Sequence, residues 1–405
     1  MSARRTIIAV AIALGGLWSC TGGDDRPAVD TILHGGTVFD GTGRPGAVMD
    51  VATRGDRIVA VGEDLRTRYR ATEEIDVGGQ VVAPGFIDPH THAIEDVENL
   101  AEPQPLVHYL TQGVSTLVIG NDGRGGADVS RTLEKLEGLG VGPNVAVFVG
   151  HNALRIAAMG MVDRAPTAEE LDQMTHDVDR AMAEGALGLS AGLYYTPGVY
   201  ATTEEVTALA RVAARYGGLY ESHIRDESTY SIGLLEAIDE ALTIGRDSGA
   251  AVHIAHIKAL GVDVWGQSEA VVTRINDARD AGQSVTADQY PWRASGTRLT
   301  NALLPGWVRA GGTDAMVERL RDNTVWARLL DEMRENLRRR GGARAILLTS
   351  GEHAGHTLHD VAATRDETPV DTALALILAG DARIASFNMH EDDIARFMTQ
   401  PWVVT

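Results

Sequence analysis

From residue 81 onward the chain repeats one pattern, a short apolar run followed by a stretch long enough for a helix. The runs are "VVAPGFID" (81–88), "VSTLVIG" (114–120), "NVAVFVG" (144–150), "ALGLSAG" (186–192), "GLYESHI" (218–224), "AVHIAHI" (251–257), "QSVTADQY" (283–290) and "PWVVT" (401–405). Strands that are apolar throughout are buried on both faces, and in alternation with helices they form a parallel sheet covered by those helices. Eight of them is the strand count of an α/β fold of the (β/α)₈ type, the TIM-type barrel, whose active site lies at the C-terminal strand ends. A doubly wound open sheet is the alternative, but no glycine-rich phosphate loop follows the first strand. With 405 residues, 44% of them hydrophobic, the chain can bury one large core and a small second one.

The connecting stretches carry helix signals. In "TTEEVTALARVAARYGG", Thr202 and Glu205 form a capping box. Val206, Leu209, Ala210 and Ala213 follow at helical spacing, and Gly217 ends the helix. "TAEELDQMTHDVDRAMAEG" repeats the device with Thr167 and Glu170, and with Leu171, Met174 and Val178 on the apolar face. Residues 30–80 have another texture: alternating apolar and polar residues broken by glycines, which predicts β-hairpins.

The first 20 residues, "MSARRTIIAVAIALGGLWSC", have a basic start, an apolar stretch and small residues, and predict a signal peptide. Cys20, the single cysteine, closes a lipobox-like Leu17-Trp18-Ser19-Cys20 and is the expected lipidation site. Residues 21–29 read as a tether, and Thr21 points to the outer membrane of an exported cell-envelope lipoprotein. The formal net charge of −20 leaves no basic surface for nucleic acid, and any membrane contact must come through the lipid.

The first strand ends in "DPHTH", so His90 and His92 point to one side of an extended chain. Other strand ends add Asp122, then His223 with Arg225, then His256 with Lys258, then Asp288 with Tyr290. Four histidines and a carboxylate on one rim make a metal-site composition. His253 alternates with His256 and is expected to face the helices; His151 stays undecided. Arg225 is read as a partner of Asp226 and Glu227 or as a substrate contact. His353, His356 and His359 recur at three-residue spacing, close to one helical face, and are read as surface residues. Asp392 and Asp393 are read as a helix start.

The segments "PGFIDPHTH", "GNDG", "GHNALRIAAMG", "LSAGLYYTPGVYATTEEV", "SHIRDE", "AHIK" and "DQYPW", in one order over residues 30–405, resemble the N-acyl-D-amino-acid deacylase (D-aminoacylase) family of the amidohydrolase superfamily. The resemblance implies a zinc-dependent hydrolase of N-acyl-D-amino acids, with a barrel over 81–405 and a small β-sandwich built from both chain ends, whose first half is 30–80. It places His90 and His92 on one metal position, His223 and His256 on the other, and Lys258 and Tyr290 on the substrate carboxylate and scissile carbonyl. Where the family commonly has a cysteine in "GNCG", this chain has Asp122 in "GNDG". A carboxylate can bridge two metals and is a harder ligand than a thiolate, so one or two ions are expected, Zn²⁺ with Mn²⁺ or Co²⁺ also accepted. The family's general-base aspartate falls beyond Thr405, so the catalytic base has no candidate, and the chain is expected to be a fragment. A cyclic-amide or β-aspartyl dipeptide hydrolase, and an inactive metal-binding lipoprotein, are the alternatives.

Overall fold

The computed structural model describes residues 24–93 and 105–405. The predicted signal peptide, Cys20 and the start of the tether lie outside these residues. The chain divides into two units, the first ending at Gly85 and the second running over Phe86–Thr405. No helix among the described residues is long and apolar enough to cross a membrane.

The first unit is a five-stranded sheet: β1 (Ala28–Val38), β2 (Ala47–Arg54), β3 (Arg57–Gly62), β4 (Arg70–Asp76) and β5 (Val81–Val82). Strands β1, β2 and β3 are antiparallel neighbours, as the hairpin reading predicts. Strands β4 and β5 depart from it, because both lie parallel to β1. A parallel return needs a crossover, and the residues between β3 and β4 supply one through the short helix Leu65–Arg68. Leu65 is fully buried with Val29, Ile32 and Ala52. The pairing of Val81 and Val82 with β1 also splits "VVAPGFID", so only its second half belongs to the next unit.

The second unit carries the parallel strands in chain order: β6 (Phe86–Asp88), β7 (Val114–Ile119), β8 (Asn144–Val147), β9 (Val149–Gly150), β10 (Gly188–Gly192), β11 (Leu219–His223), β12 (Ala251–Ile254) and β13 (Val285–Asp288). One sheet runs β6-β7-β8 and the other begins at β9. Phe148 alone separates β8 from β9, and its N–H donates to the Ile119 carbonyl of β7 at 2.9 Å, so 144–150 is one run shared by both sheets. Strand pairs β9-β10, β10-β11, β11-β12 and β12-β13 are all parallel.

After β13 comes a segment that strand counting does not anticipate. Strands β14 (Ala294–Arg298), β15 (Ile346–Leu348) and β16 (Arg383–Phe387) form a separate antiparallel sheet. With the helices between them they enclose a core of their own, built on residues such as Leu303, Leu329, Met333, Leu358 and Ile384. The chain then returns through the helix Glu391–Met398 to β17 (Val403–Val404), which pairs in parallel with β13. Asp393 does stand at that helix start, and its carboxylate accepts the N–H groups of Gly266 and Ser268 at 2.9 and 3.3 Å. His353 and His356 precede the helix Leu358–Arg365, so the three-histidine spacing does not mark one helical face.

The helix Ala168–Ala183 has the full capping box of Thr167 and Glu170. At the helix Thr203–Arg215 half of the predicted box is missing. The Thr202 hydroxyl accepts the Glu205 N–H at 3.2 Å, but the Glu205 side chain does not return to the cap. It turns inward to the Arg155 guanidinium at 2.6 and 2.8 Å and to His151 Nε2 at 2.8 Å. Arg155 and His151 are both fully buried. A buried guanidinium needs a carboxylate more than a helix end needs a second cap bond. His151 is therefore part of a structural ion-pair group.

Candidate metal centre and substrate cavity

The ends of β6, β7, β10, β11, β12 and β13 deliver polar side chains to one cavity of about 600 Å³. Its lining includes Asp88, His90, His92, Asp122, Tyr194, Tyr195, His223, Glu227, His256, Lys258, Asp288 and Tyr290. All seven cavity residues predicted from the sequence are therefore brought together: His90, His92, Asp122, His223, His256, Lys258 and Tyr290.

Asp122 stands at the focus. It follows β7 in the left-handed backbone region, φ +58°, and is 2% exposed. That turn points its carboxylate back over the strand ends. One oxygen lies 3.6 Å from His90 Nε2, 3.7 Å from His223 Nδ1 and 3.5 Å from His256 Nε2; the other is 3.4 Å from His92 Nε2. His223 Nδ1 and His256 Nε2 are 2.9 Å apart. Ligands placed tetrahedrally at about 2.0–2.1 Å from zinc stand roughly 3.3 Å from one another, so these spacings suit shared ions. Two three-residue groups result, His90/His92/Asp122 and Asp122/His223/His256, joined by the one carboxylate. Asp122 Oδ1 and His90 Nε2 are buried without a hydrogen-bond partner among the described residues. Buried polar atoms are normally paired, and unpaired lone pairs aimed at one point fit a cation. An Asx turn does not account for Asp122, since its carboxylate faces imidazoles.

A loop of glycines makes the close approach possible. In "GNDGRGG", a Cβ on Gly125 would meet the Phe148 carbonyl oxygen at 1.9 Å, and one on Gly123 would meet Asn152 Oδ1 at 2.2 Å. These glycines let β7 and the 144–150 run draw together behind Asp122.

A second layer orients the first. His90 Nδ1 points away from Asp122, towards Asp288 Oδ2 at 3.5 Å and Glu221 Oε1 at 3.9 Å. Asp288 also accepts the His256 N–H at 2.9 Å and bonds His253 Nε2 at 2.9 Å. The sequence reading sent His253 towards the helices. The structure corrects this, because His253 pairs in register with Thr286 and shares its face with Asp288 two residues on. The chain turns after Ile254, and that breaks the alternation which His256 was assumed to follow. Asp288 and Glu221 stand as charges behind the His90 ring without a hydrogen bond to it, and Asp288 fixes the His256 backbone rather than its imidazole.

Lys258 is 3% exposed and held on two sides, by Glu227 Oε1 at 2.5 Å and His256 Nδ1 at 2.7 Å. Burial would push the Glu227 carboxyl up, but Lys258, His223 and His256 outweigh it and hold it far below the carboxylate range. Asp122 is likewise held well below its usual value by His90 and His256 against the opposing effect of burial. Glu221, fully buried, goes the other way: burial and then the Asp122 charge push it well above the ordinary glutamate value. Burial, with Glu227 and Asp288 beside it, also keeps the Tyr290 phenol protonated, well above its usual value. Arg225 joins neither proposed partner. It is bound to Glu240 through two bonds of 2.8 Å and donates to the Val199 and Ala201 carbonyls.

Sequence reasoning left four kinds of residue unassigned. Glu221 precedes His223 by two on one strand face, a signal present in the sequence. Tyr194 and Tyr195 stand two and three residues after β10, also near a strand end. Glu227 sits only four residues after His223. Tyr230 and Arg340 carry no such signal, for they reach the cavity from connecting segments.

Comparison with known proteins agrees with this constellation. Residues 73–220 match the Amidohydrolase family. The chain is 33% identical over 399 residues to the D-aminoacylase of Alcaligenes xylosoxydans xylosoxydans, covering 92% of this chain and 73% of that one. It is 39% identical over 293 residues to the N-acyl-D-glutamate deacylase of the same organism, covering 67% of this chain and 58% of that one. Among solved structures it resembles the N-acyl-D-glutamate deacylase of Bordetella bronchiseptica, complexed with zinc and a phosphonate inhibitor that mimics the tetrahedral intermediate. There the TM-score is 0.75, with 31% identity over 93% of this chain and 75% of that one. The fold is thus an amidohydrolase-type α/β fold. Within that superfamily, the chain belongs to the D-aminoacylase family of N-acyl-D-amino-acid deacylases.

Proposed function

We propose that this protein is a metal-dependent hydrolase of the amide bond of N-acyl-D-amino acids, releasing a carboxylate and the D-amino acid. The observation that carries the reading is the Asp122 carboxylate at 3.4–3.7 Å from four imidazoles at the bottom of one cavity. The relatives' activities and the zinc and inhibitor bound in the Bordetella deacylase support it.

In this reading His90, His92 and Asp122 would hold one ion, and Asp122, His223 and His256 would hold a second. When bound, such an ion supplies Lewis-acid chemistry, the polarisation of a carbonyl and the acidification of a water. The chain's own residues do the rest. Tyr290, kept protonated, donates to the scissile carbonyl oxygen, where charge develops. Glu227 and Lys258 brace His256 from behind. Tyr194 and Tyr195 form apolar walls that exclude water beside His223, with ring centroids 5.7 and 4.6 Å from it. No described carboxylate is assigned the general-base step.

We further infer that the eight parallel runs close as a (β/α)₈ barrel. The support is their strict chain order and the gathering of the site at their C-terminal ends. The reading of 30–80 as half of a sandwich, and of Cys20 as an acylated envelope anchor, rests on the sequence. Metabolic labelling with a radioactive fatty acid tests the anchor. Label is expected in the wild type and absent in Cys20→Ala, and equal label in both would remove it.

The activity is tested with N-acetyl derivatives of methionine, glutamate and aspartate as D and L isomers, assayed for amine release. Release from a D-isomer, abolished by dialysis against a chelator and restored by Zn²⁺, Mn²⁺ or Co²⁺, is expected. Equal rates on both isomers would sink the stereochemical part. Release that survives chelation, with metal content shown to be nil, would sink the metal part.

A further inference from the structure

The resemblance assigns the substrate's carboxylate to Lys258, but the charge balance of the cavity points elsewhere. Glu227 already neutralises Lys258 at 2.5 Å, and His256 takes a second of its donors. A lysine has three donors in all, so one is left.

A different cation in the cavity has no carboxylate paired directly with it. Three arginines are buried among the described residues: Arg155, Arg309 and Arg340. Arg155 is bound to Glu205. Arg309 opens on other cavities. Arg340, 3% exposed, lines the cavity that holds the histidines and Asp122. Among the described residues no carboxylate lies within ion-pair distance of it. Its hydrogen-bond partners are neutral: the Ala302 carbonyl at 3.3 Å, Asn388 Oδ1 at 3.2 Å once the amide is turned to let its nitrogen donate to the Ser386 carbonyl, and the Tyr194 side chain, while the Glu227 charge acts on it only from beyond ion-pair distance. The Tyr230 ring lies 5.8 Å from its Cζ. Guanidinium does not lose its proton in proteins, and a buried charge without a partner is costly. Such a charge persists where an anion is to be received, and its planar fork matches a carboxylate through two parallel bonds.

We propose that Arg340 is the specificity-determining residue that receives the α-carboxylate of the substrate, with Lys258 as a braced neighbour. This rests on the deacylase reading, and it deepens it. Arg340 follows the helix Trp326–Arg339 in the segment inserted between β13 and β17. The metal centre and the carboxylate anchor would then come from separately folded parts of the second unit. Together with the cavity wall they fix three points on the substrate, which is what selection of one enantiomer requires.

The test compares wild type, Arg340→Gln and Arg340→Lys on whichever N-acetyl-D-amino acid is cleaved fastest, and on its uncharged α-carboxamide. Metal content and melting temperature are measured beside the kinetics. In Arg340→Gln, KM for the acid is expected to rise about 100-fold, with kcat changed much less. The acid-over-carboxamide preference should collapse towards unity, and bound metal should stay unchanged. Arg340→Lys keeps the charge without the fork and should fall between, and it decides the matter if the glutamine variant does not fold. Equal losses on acid and carboxamide, or loss of metal, would show a structural role and overturn the proposal. If the wild type cleaves none of these compounds, the deacylase reading fails separately. Calorimetric binding of N-acetyl-D-methionine to the as-isolated protein then decides for Arg340: a Kd weakened in the variants supports it, and an unchanged or undetectable one overturns it.

Discussion

Replacing Asp122 by alanine is expected to remove bound metal and activity together. Each histidine belongs to one of the two candidate metal-binding groups, whereas Asp122 belongs to both. Its loss leaves four imidazoles around an empty centre, with His223 and His256 facing each other at 2.9 Å and no anion between the pairs. Residues that merely support ligands cost about 10–100-fold in metal affinity or activity when mutated, so the loss here should exceed roughly 100-fold in kcat/KM. Metal analysis of the purified variant and a full kinetic profile check this. The informative companion is Asp122→Cys, which restores the residue the family commonly carries. A thiolate is softer than a carboxylate, so this variant should bind zinc and lose tolerance for Mn²⁺. A wild-type metal content in Asp122→Ala would show that the carboxylate is no ligand. An unchanged metal preference in Asp122→Cys would show that it does not set selectivity.

The second large effect is on stability. Glu205→Ala leaves the fully buried Arg155 guanidinium without its carboxylate, and removing one partner of a buried ion pair typically costs 3–5 kcal/mol. The substitution should lower the melting temperature by several degrees at neutral pH while leaving the Thr202 hydroxyl cap in place. The pH dependence has a defined sign. Burial raises the Glu205 carboxyl, but His151 and Arg155 outweigh burial and hold it below its ordinary value of 4.5. A carboxylate depressed in the folded state contributes stability that is fully present above its unfolded pKa and lost as pH falls through the folded one. The wild type should therefore lose stability below about pH 4.5, and the gap between it and Glu205→Ala should narrow there. Melting curves from pH 3 to 7 test both statements, and a gap independent of pH would refute the ion-pair account.

These two residues also show what could be read in advance. Asp122 was visible because a parallel sheet of apolar runs sends the residue after each strand to one end, whatever the rest of the chain does. The same rule exposed His90, His92, His223 and His256. Glu205 was misread because a capping box is a local motif, and locally it was satisfied. Only packing brought Arg155 and His151 against that helix start, 50 and 54 residues away in sequence, and the buried charge took the carboxylate from the cap. His253 was misassigned for a related reason. Strict alternation holds only while the strand lasts, and β12 ends at Ile254, two residues before His256.

The sequence by itself determined the class of fold, the strand-end set of histidines and aspartate that meet in one cavity, and the aspartate that stands in the "GNDG" turn where the family commonly has a cysteine. Periodicity and strand-end position are properties of neighbouring residues, and such properties survive in one dimension. The tertiary structure alone decided how charge is shared: Asp122 among four imidazoles, Lys258 neutralised by Glu227, Arg155 by Glu205, and Arg340 left with neutral partners inside the cavity. Coulombic energy depends on distance and on exclusion of water, and neither is set until segments far apart in the chain have packed.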